Sequence, residues 1–226
     1  MKNTRALLVT ALMPLLLSVP AGLPASGGSA MRLPTPQRHT PEEEATSLYN
    51  DGISYRDKAA KLEAEAAAEP DAGKKAKLEA KAKDKHQDSI QKFSDATKKN
   101  AALFQAWGSL GYAYRKVGNY PASLEAYGKA LELQPNYTPA IEYRAEAYLG
   151  LNPIDEVKAV YVTLFRIDRP RADELSTAID KWVERRKTDP AGVDPAQVDE
   201  FARWAAERKQ LASQVSSLTK PAHERW

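Results

Sequence analysis

The residues able to carry acid–base or metal chemistry are few and scattered. Histidine is the usual general base and metal ligand near neutral pH, and the chain has three, His39, His86 and His223. They fall in a linker, on a lysine-rich arm and in the tail, none with a second ligand at metal-site spacing. There is no cysteine, so thiolate catalysis, disulfides and a bacterial lipid anchor are all excluded. A phosphate-cradling glycine loop, a G-x-S-x-G elbow and an H-E-x-x-H helix are likewise missing. Asp and Glu are plentiful but follow helix surfaces, where they read as solvated faces. The sequence points to no catalytic residue, no cofactor, no metal and no small-molecule substrate.

The patterned residues lie instead between Phe104 and Pro135, FQAWGSLGYAYRKVGNYPASLEAYGKALELQP. Trp107, Leu110, Gly111 and Tyr114 stand at W-x2-L-G-x2-Y spacing, and Tyr127, Ala130 and Pro135 follow at the offsets of a second helix and its stop. Glycine inside a helix costs roughly 1 kcal/mol against alanine, so Gly111 is expected where a neighbouring helix comes close, with Ala130 doing the same from the other side. Gly118 and Asn119 end the first helix, and Tyr120-Pro121 opens the second. This stretch resembles the tetratricopeptide repeat, a unit of helix, turn and helix.

One 34-residue period further on, Thr138 to Pro170 gives another copy. Thr138 is expected to cap its first helix, with Pro139 at the first helical position. Ile141 replaces the tryptophan, Ala145 the glycine, and Tyr148 keeps its place; Asn152-Pro153 restarts the chain, and Tyr161 and Leu164 take packing positions. Arg144 departs from the pattern, and Pro170 closes the unit one residue late. Backwards, the copy is split. Leu48, Gly52 and Tyr55 match a first helix, and Ser89, Phe93 and Ala96 a second.

Ala45 to Leu103 holds 59 residues, 25 more than one repeat. The surplus, within 59–84, is rich in Ala, Lys and Glu, strong helix formers, broken only at Glu69–Gly73. Both helices of this repeat are expected to continue outward by about three and a half turns each and return, with a disordered linker as the competing view. Glu63, Glu65 and Glu69 on one arm face Lys74, Lys75, Lys77, Lys81, Lys83 and Lys85 on the other, a charge pairing expected to help hold the hairpin, which relies on Leu62, Leu78 and alanines for apolar contact.

Before the repeats, Lys2 and Arg5 precede an apolar run, Ala6–Pro20, that leads to small residues at Ala25–Ala30. The run is short and interrupted by Pro14, so 1–30 reads as a secretory signal peptide, cut after Ala25 or Ala30, rather than an uncleaved anchor. The mature protein would be periplasmic or secreted. Losing Lys2 and Arg5 takes the formal charge from +3 to +1, too little for a nucleic-acid binder. Residues 31–40 read as a linker, and Thr40-Pro41-Glu42-Glu43 as a capping box opening the folded part.

After the repeats, Arg171–Lys187 reads as a helix with Leu175, Ile179, Trp182 and Val183 on one face. A loop, 188–194, leads to a second capping box, Asp194–Gln197, and a helix whose Phe201, Trp204, Leu211, Val215 and Leu218 form an apolar stripe. Solenoid ends need covering elements, so 171–218 is expected to cap the array, with a homodimer seam as the alternative and 219–226 as a tail.

The resemblance implies an all-α fold, a solenoid of helical hairpins with repeats over 45–103, 104–137 and 138–170; the missing catalytic motifs point to a protein that is not an enzyme. In that family the first helix of each repeat lines a groove that binds peptides or helices of other proteins. Carried onto this chain, those positions are Tyr49, Asn50, Ile53 and Arg56; Gln105, Ser109, Tyr112 and Arg115; and Glu142, Tyr143, Glu146 and Leu149. Tyrosine and arginine are common interface anchors, which singles out Tyr112, Arg115 and Tyr143. The Lys, Asn and Arg clamp that grips chaperone tails is absent: its positions hold Tyr49, Ile53, Ser109, Pro139 and Tyr143. The resulting expectation is an exported adaptor for a protein partner, acting in envelope assembly. The alternatives are a spacer or oligomerising element working through the hairpin or last helix, and attachment to anionic polymers or lipid through the lysine arm.

Overall fold

The structure, a computed structural model, describes residues 39–219, with side chains as far as Val215. These residues belong to one of two units, Arg38–Trp226. The expected signal peptide, nearly all of the linker, His223 and the chain after Thr219 lie outside the described residues.

Within them the chain forms eight helices and no strand: α1 (Pro41–Ala68), α2 (Ala72–Lys99), α3 (Phe104–Lys116), α4 (Tyr120–Leu133), α5 (Thr138–Leu151), α6 (Ile154–Ile167), α7 (Arg169–Thr188) and α8 (Pro195–Thr219). They pair as hairpins, and each hairpin packs on the next. The local signals explain the boundaries. Thr40 and Glu43 exchange both capping-box hydrogen bonds at the start of α1. Asn119 accepts from the Ala122 amide to start α4, and Pro135 lies exposed just past its C-cap, Gln134.

One contact recurs along the stack. A Cβ at Gly52 would lie 2.5 Å from the Phe93 ring, and one at Gly111 would lie 2.7 Å from the Tyr127 ring. Phe93, Tyr127 and Tyr161 are separated by the repeat length of 34 residues, and all three are buried. Each small residue thus gives up its side chain to seat a ring from the second helix of its own hairpin, and buried Ala145 takes that position in the third. Ser123 on α4 donates to the Gly111 carbonyl at 2.8 Å, and Ala96 and Ala130 are fully buried. Leu110 is buried, with Trp107 and Tyr114 half-buried beside it. Tyr148 is half-buried against the last cluster, and Tyr55 lies under the ammonium groups of Lys58 and Lys85.

Four details differ from the sequence expectation. In the α1–α2 hairpin, Lys74, Lys75, Lys77, Lys81 and Lys83 are exposed and make no ion pair among the described residues; buried Ala59, Ala66 and Ala82 bring the helices together. Small side chains allow close backbones, and that keeps the long lysines on the outside. Thr138 is not a cap, because its hydroxyl donates to Asp168 at 2.6 Å, and Tyr137 precedes α5 without a side-chain cap. Asp194 caps α8 through the Ala196 amide rather than by reciprocal contact with Gln197. On α8 the buried face is Val198, Phe201, Ala205 and Ala212, while Leu211 and Val215 are 45% and 43% exposed.

The α7–α8 pair continues the stacking. Leu175, Ile179 and Trp182 are buried, and the Trp182 indole donates to the Leu149 carbonyl at 2.7 Å. Ile179 stands two repeat lengths after Gly111. Its bulk leaves no seat for a ring, and Phe201 packs edge-on against Trp182 instead, with ring centres 5.6 Å apart.

Candidate functional site

The first helix of each hairpin sends side chains to one cavity of about 370 Å³. Arg56 and Ala60 come from α1, Gly108, Ser109 and Tyr112 from α3, Pro139, Ala140 and Tyr143 from α5, and Arg171 from α7. Tyr137, in the α4–α5 turn, closes one side because Gly108 is bare: a Cβ there would lie 2.7 Å from the Tyr137 ring.

The floor is a cluster of rings and cations. Tyr112 and Tyr143 meet edge-on with centres 5.4 Å apart. The Arg115 guanidinium lies 5.2 Å from both ring centres, and that of Arg171 lies 5.4 Å from Tyr143. Such contacts draw the guanidiniums onto the ring faces and brace the pair. Burial pushes the Tyr112 and Tyr137 hydroxyls upward in pKa, so both stay protonated donors at neutral pH.

Two glutamates one turn apart on α5 support this floor. Glu146 pairs with Arg115, and Glu142, 1% exposed, accepts from Arg171 at 2.7 Å. Burial pushes the Glu142 carboxyl up to about 8, the neighbouring Glu146 adds to the shift, and Arg171 offsets part of it. A carboxyl raised in this way can hold a proton near neutrality, and Glu174, 3.1 Å from the Arg171 guanidinium, remains as that cation's other carboxylate partner.

The long hairpin also reaches the site. Glu63 of α1 accepts from Lys116 of α3 at 2.7 Å and pairs with His86 of α2 at 2.9 Å. The His86 ring lies edge-on to Tyr112, centres 6.1 Å apart. Burial raises the Glu63 pKa, but the bonds from His86 and Lys116 prevail and hold it down to about 2. His86 is therefore a buried bracket rather than part of a solvated arm, 1% exposed.

Of the twelve positions carried over from the repeat pattern, Arg56, Ser109, Tyr112 and Tyr143 share the cavity. Arg115, Glu146 and Leu149 border a second, more polar hollow of about 300 Å³ with Tyr120, Lys181 and Arg186. Glu142 is buried, and Leu149 is buried at the edge of that second hollow. Asn50 is exposed but borders a separate hollow near the start of α1, with Glu42, Glu43 and Lys99. Tyr49 and Ile53 pack toward the Phe93 cluster, and Gln105 is half-buried outside the cavity lining. Sequence reasoning missed Tyr137 and Arg171. Gly108, a second glycine three residues before Gly111, signals a ring that needs its space, and the 34-residue register places α7 beside the site.

Among the described residues no group of three His, Cys, Asp or Glu side chains could hold a metal ion. No curated protein matches the chain. Residues 104–137 match the family model of the tetratricopeptide repeat, a unit that mediates protein–protein interaction. That match covers α3 and α4, and a small residue facing a ring recurs in the hairpin on either side, with the rings Phe93, Tyr127 and Tyr161 one repeat length apart; the chain carries a tetratricopeptide repeat.

Proposed function

We propose that this protein is an exported adaptor that holds a segment of a partner protein against Tyr112 and Tyr143. The observation that carries the reading is the cavity formed by four successive first helices, where two packed tyrosine rings, Ser109 and two arginines face one space. Side chains already held by their neighbours lose little freedom on binding, which favours affinity. Arg115 now has a different role from the anchor its type suggests. It is mostly buried and paired with Glu146, so it braces the tyrosines, and Arg56 and Arg171 stand at the cavity wall.

Export, to the periplasm or the exterior, rests on the first 30 residues, and action in envelope assembly is the role proposed for the periplasmic case. Sequencing the amino terminus of the mature protein tests this directly. A start at Ser26 or Met31 supports the reading, and an intact Met1 overturns it. For the groove, the test is affinity capture of partners from envelope extracts by the full-length protein. Tyr112→Ala and Tyr143→Ala should reduce capture, while Lys74→Ala, Lys77→Ala and Lys81→Ala together should leave it unchanged. The reverse pattern would favour contact through the hairpin. Deleting 59–84 does not separate the two, because it removes Ala60 and Glu63 from the site itself.

A further inference from the structure

The second helices carry a feature that the groove does not use. Between α6 and α8 lies an apolar notch of about 140 Å³, lined by Tyr161, Val162, Phe165 and Leu211 with Arg166 and Arg208 on its rim. Val162 and Leu211 are 50% and 45% exposed, among the most exposed large apolar side chains described. No carboxylate lines the notch. Arg166 is exposed and makes no ion pair or hydrogen bond among the described residues. Arg208 lies over the Trp204 ring, and its buried Nε has no hydrogen-bond partner.

We propose that this notch is a second docking surface, one that takes an apolar side chain of a partner protein whose neighbouring residues are acidic. The notch has room for one branched or aromatic side chain, and the two guanidiniums can donate to carboxylates in charge-assisted, bidentate pairs. Neither Arg166 nor Arg208 pairs with a carboxylate among the described residues, so an arriving carboxylate displaces no existing ion pair. A second copy of this chain fits poorly: a two-fold contact is self-complementary and would set the same arginines against each other. A bilayer fits less well than a peptide, because the recess lies between two helices and admits a single side chain.

Panning the full-length protein against phage-displayed random dodecapeptides tests the proposal. Arg166→Glu and Val162→Asp alter exposed positions, and thermal melts confirm that both variants fold. The expected result is a peptide class with Asp or Glu beside Leu, Ile or Phe. Its binding should fall by about tenfold or more on Arg166→Glu and on Val162→Asp, and stay unchanged on Tyr112→Ala. If every selected peptide is indifferent to Arg166→Glu and Val162→Asp, the second surface is overturned while the groove reading stands. Two further results overturn it in favour of other occupants. One is a dimer in light scattering that Val162→Asp dissociates. The other is binding to phosphatidylcholine–phosphatidylglycerol vesicles that Arg166→Glu abolishes, with no acidic peptide selected.

Discussion

A methyl group added at Gly111 would lie 2.7 Å from the Tyr127 ring, which is fully buried and braced by its neighbours. Alanine favours a helix by about 1 kcal/mol over glycine, and overpacking a filled core costs about 1–3 kcal/mol. The ring has nowhere to go, so the second effect wins. Gly111→Ala should lower the urea midpoint, whereas Gly128→Ala, with open space around the added carbon, should raise it or leave it unchanged. Glu142 makes a prediction of a different kind. Its folded pKa lies above the ordinary 4.5, near 8, so the native state binds the extra proton. The stability it contributes is greatest below pH 4.5 and declines as pH rises through about 8. Glu142→Gln cannot ionise, and the fall in melting temperature from pH 5 to pH 9 should shrink. Residue types at fixed offsets made Gly52, Gly111 and Tyr127 legible from sequence. Glu142 was not, because its burial depends on Arg171, 29 residues away and in another hairpin.

At the level of elements, the long hairpin is held by more than its own two helices. Glu63 links α1 to both α2 and α3 through His86 and Lys116. Because its folded pKa is depressed to about 2 from 4.5, its contribution is present above pH 4.5 and is lost as pH falls toward 2. Glu63→Gln should therefore destabilise the protein at pH 7 and converge with the parent near pH 2, as followed by circular dichroism. Helix-forming composition and the break at Pro70 showed in the sequence that the hairpin exists. Its contact with α3 did not show, since nothing local marks one glutamate among several as the one that meets Lys116. The last pair was half legible for a related reason. Leu175, Ile179 and Trp182 keep the spacing of a first helix, but Ile179 removes the small-residue seat, so Phe201 packs on Trp182 at an offset the repeat does not specify.

Across the first three hairpins, the pairing of helices follows one rule: a small residue on the first helix receives a ring from the second. That rule is periodic, so the fold could be read from sequence around its strongest copy. The groove was only partly legible, because repeat offsets say which helix face a residue occupies and not whether its neighbours bury it. Arg56, Ser109, Tyr112 and Tyr143 converge, whereas Glu142 and Leu149 are buried. The central claim is that this convergence receives a partner. The most direct measurement places a photo-cross-linking amino acid at Tyr112, at Tyr143 or at Leu133, an exposed position on α4, in the full-length protein within its own cells. The same cross-linked polypeptide is expected from positions 112 and 143 and none from 133. Adducts from 133 with none from 112 or 143 would contradict that claim.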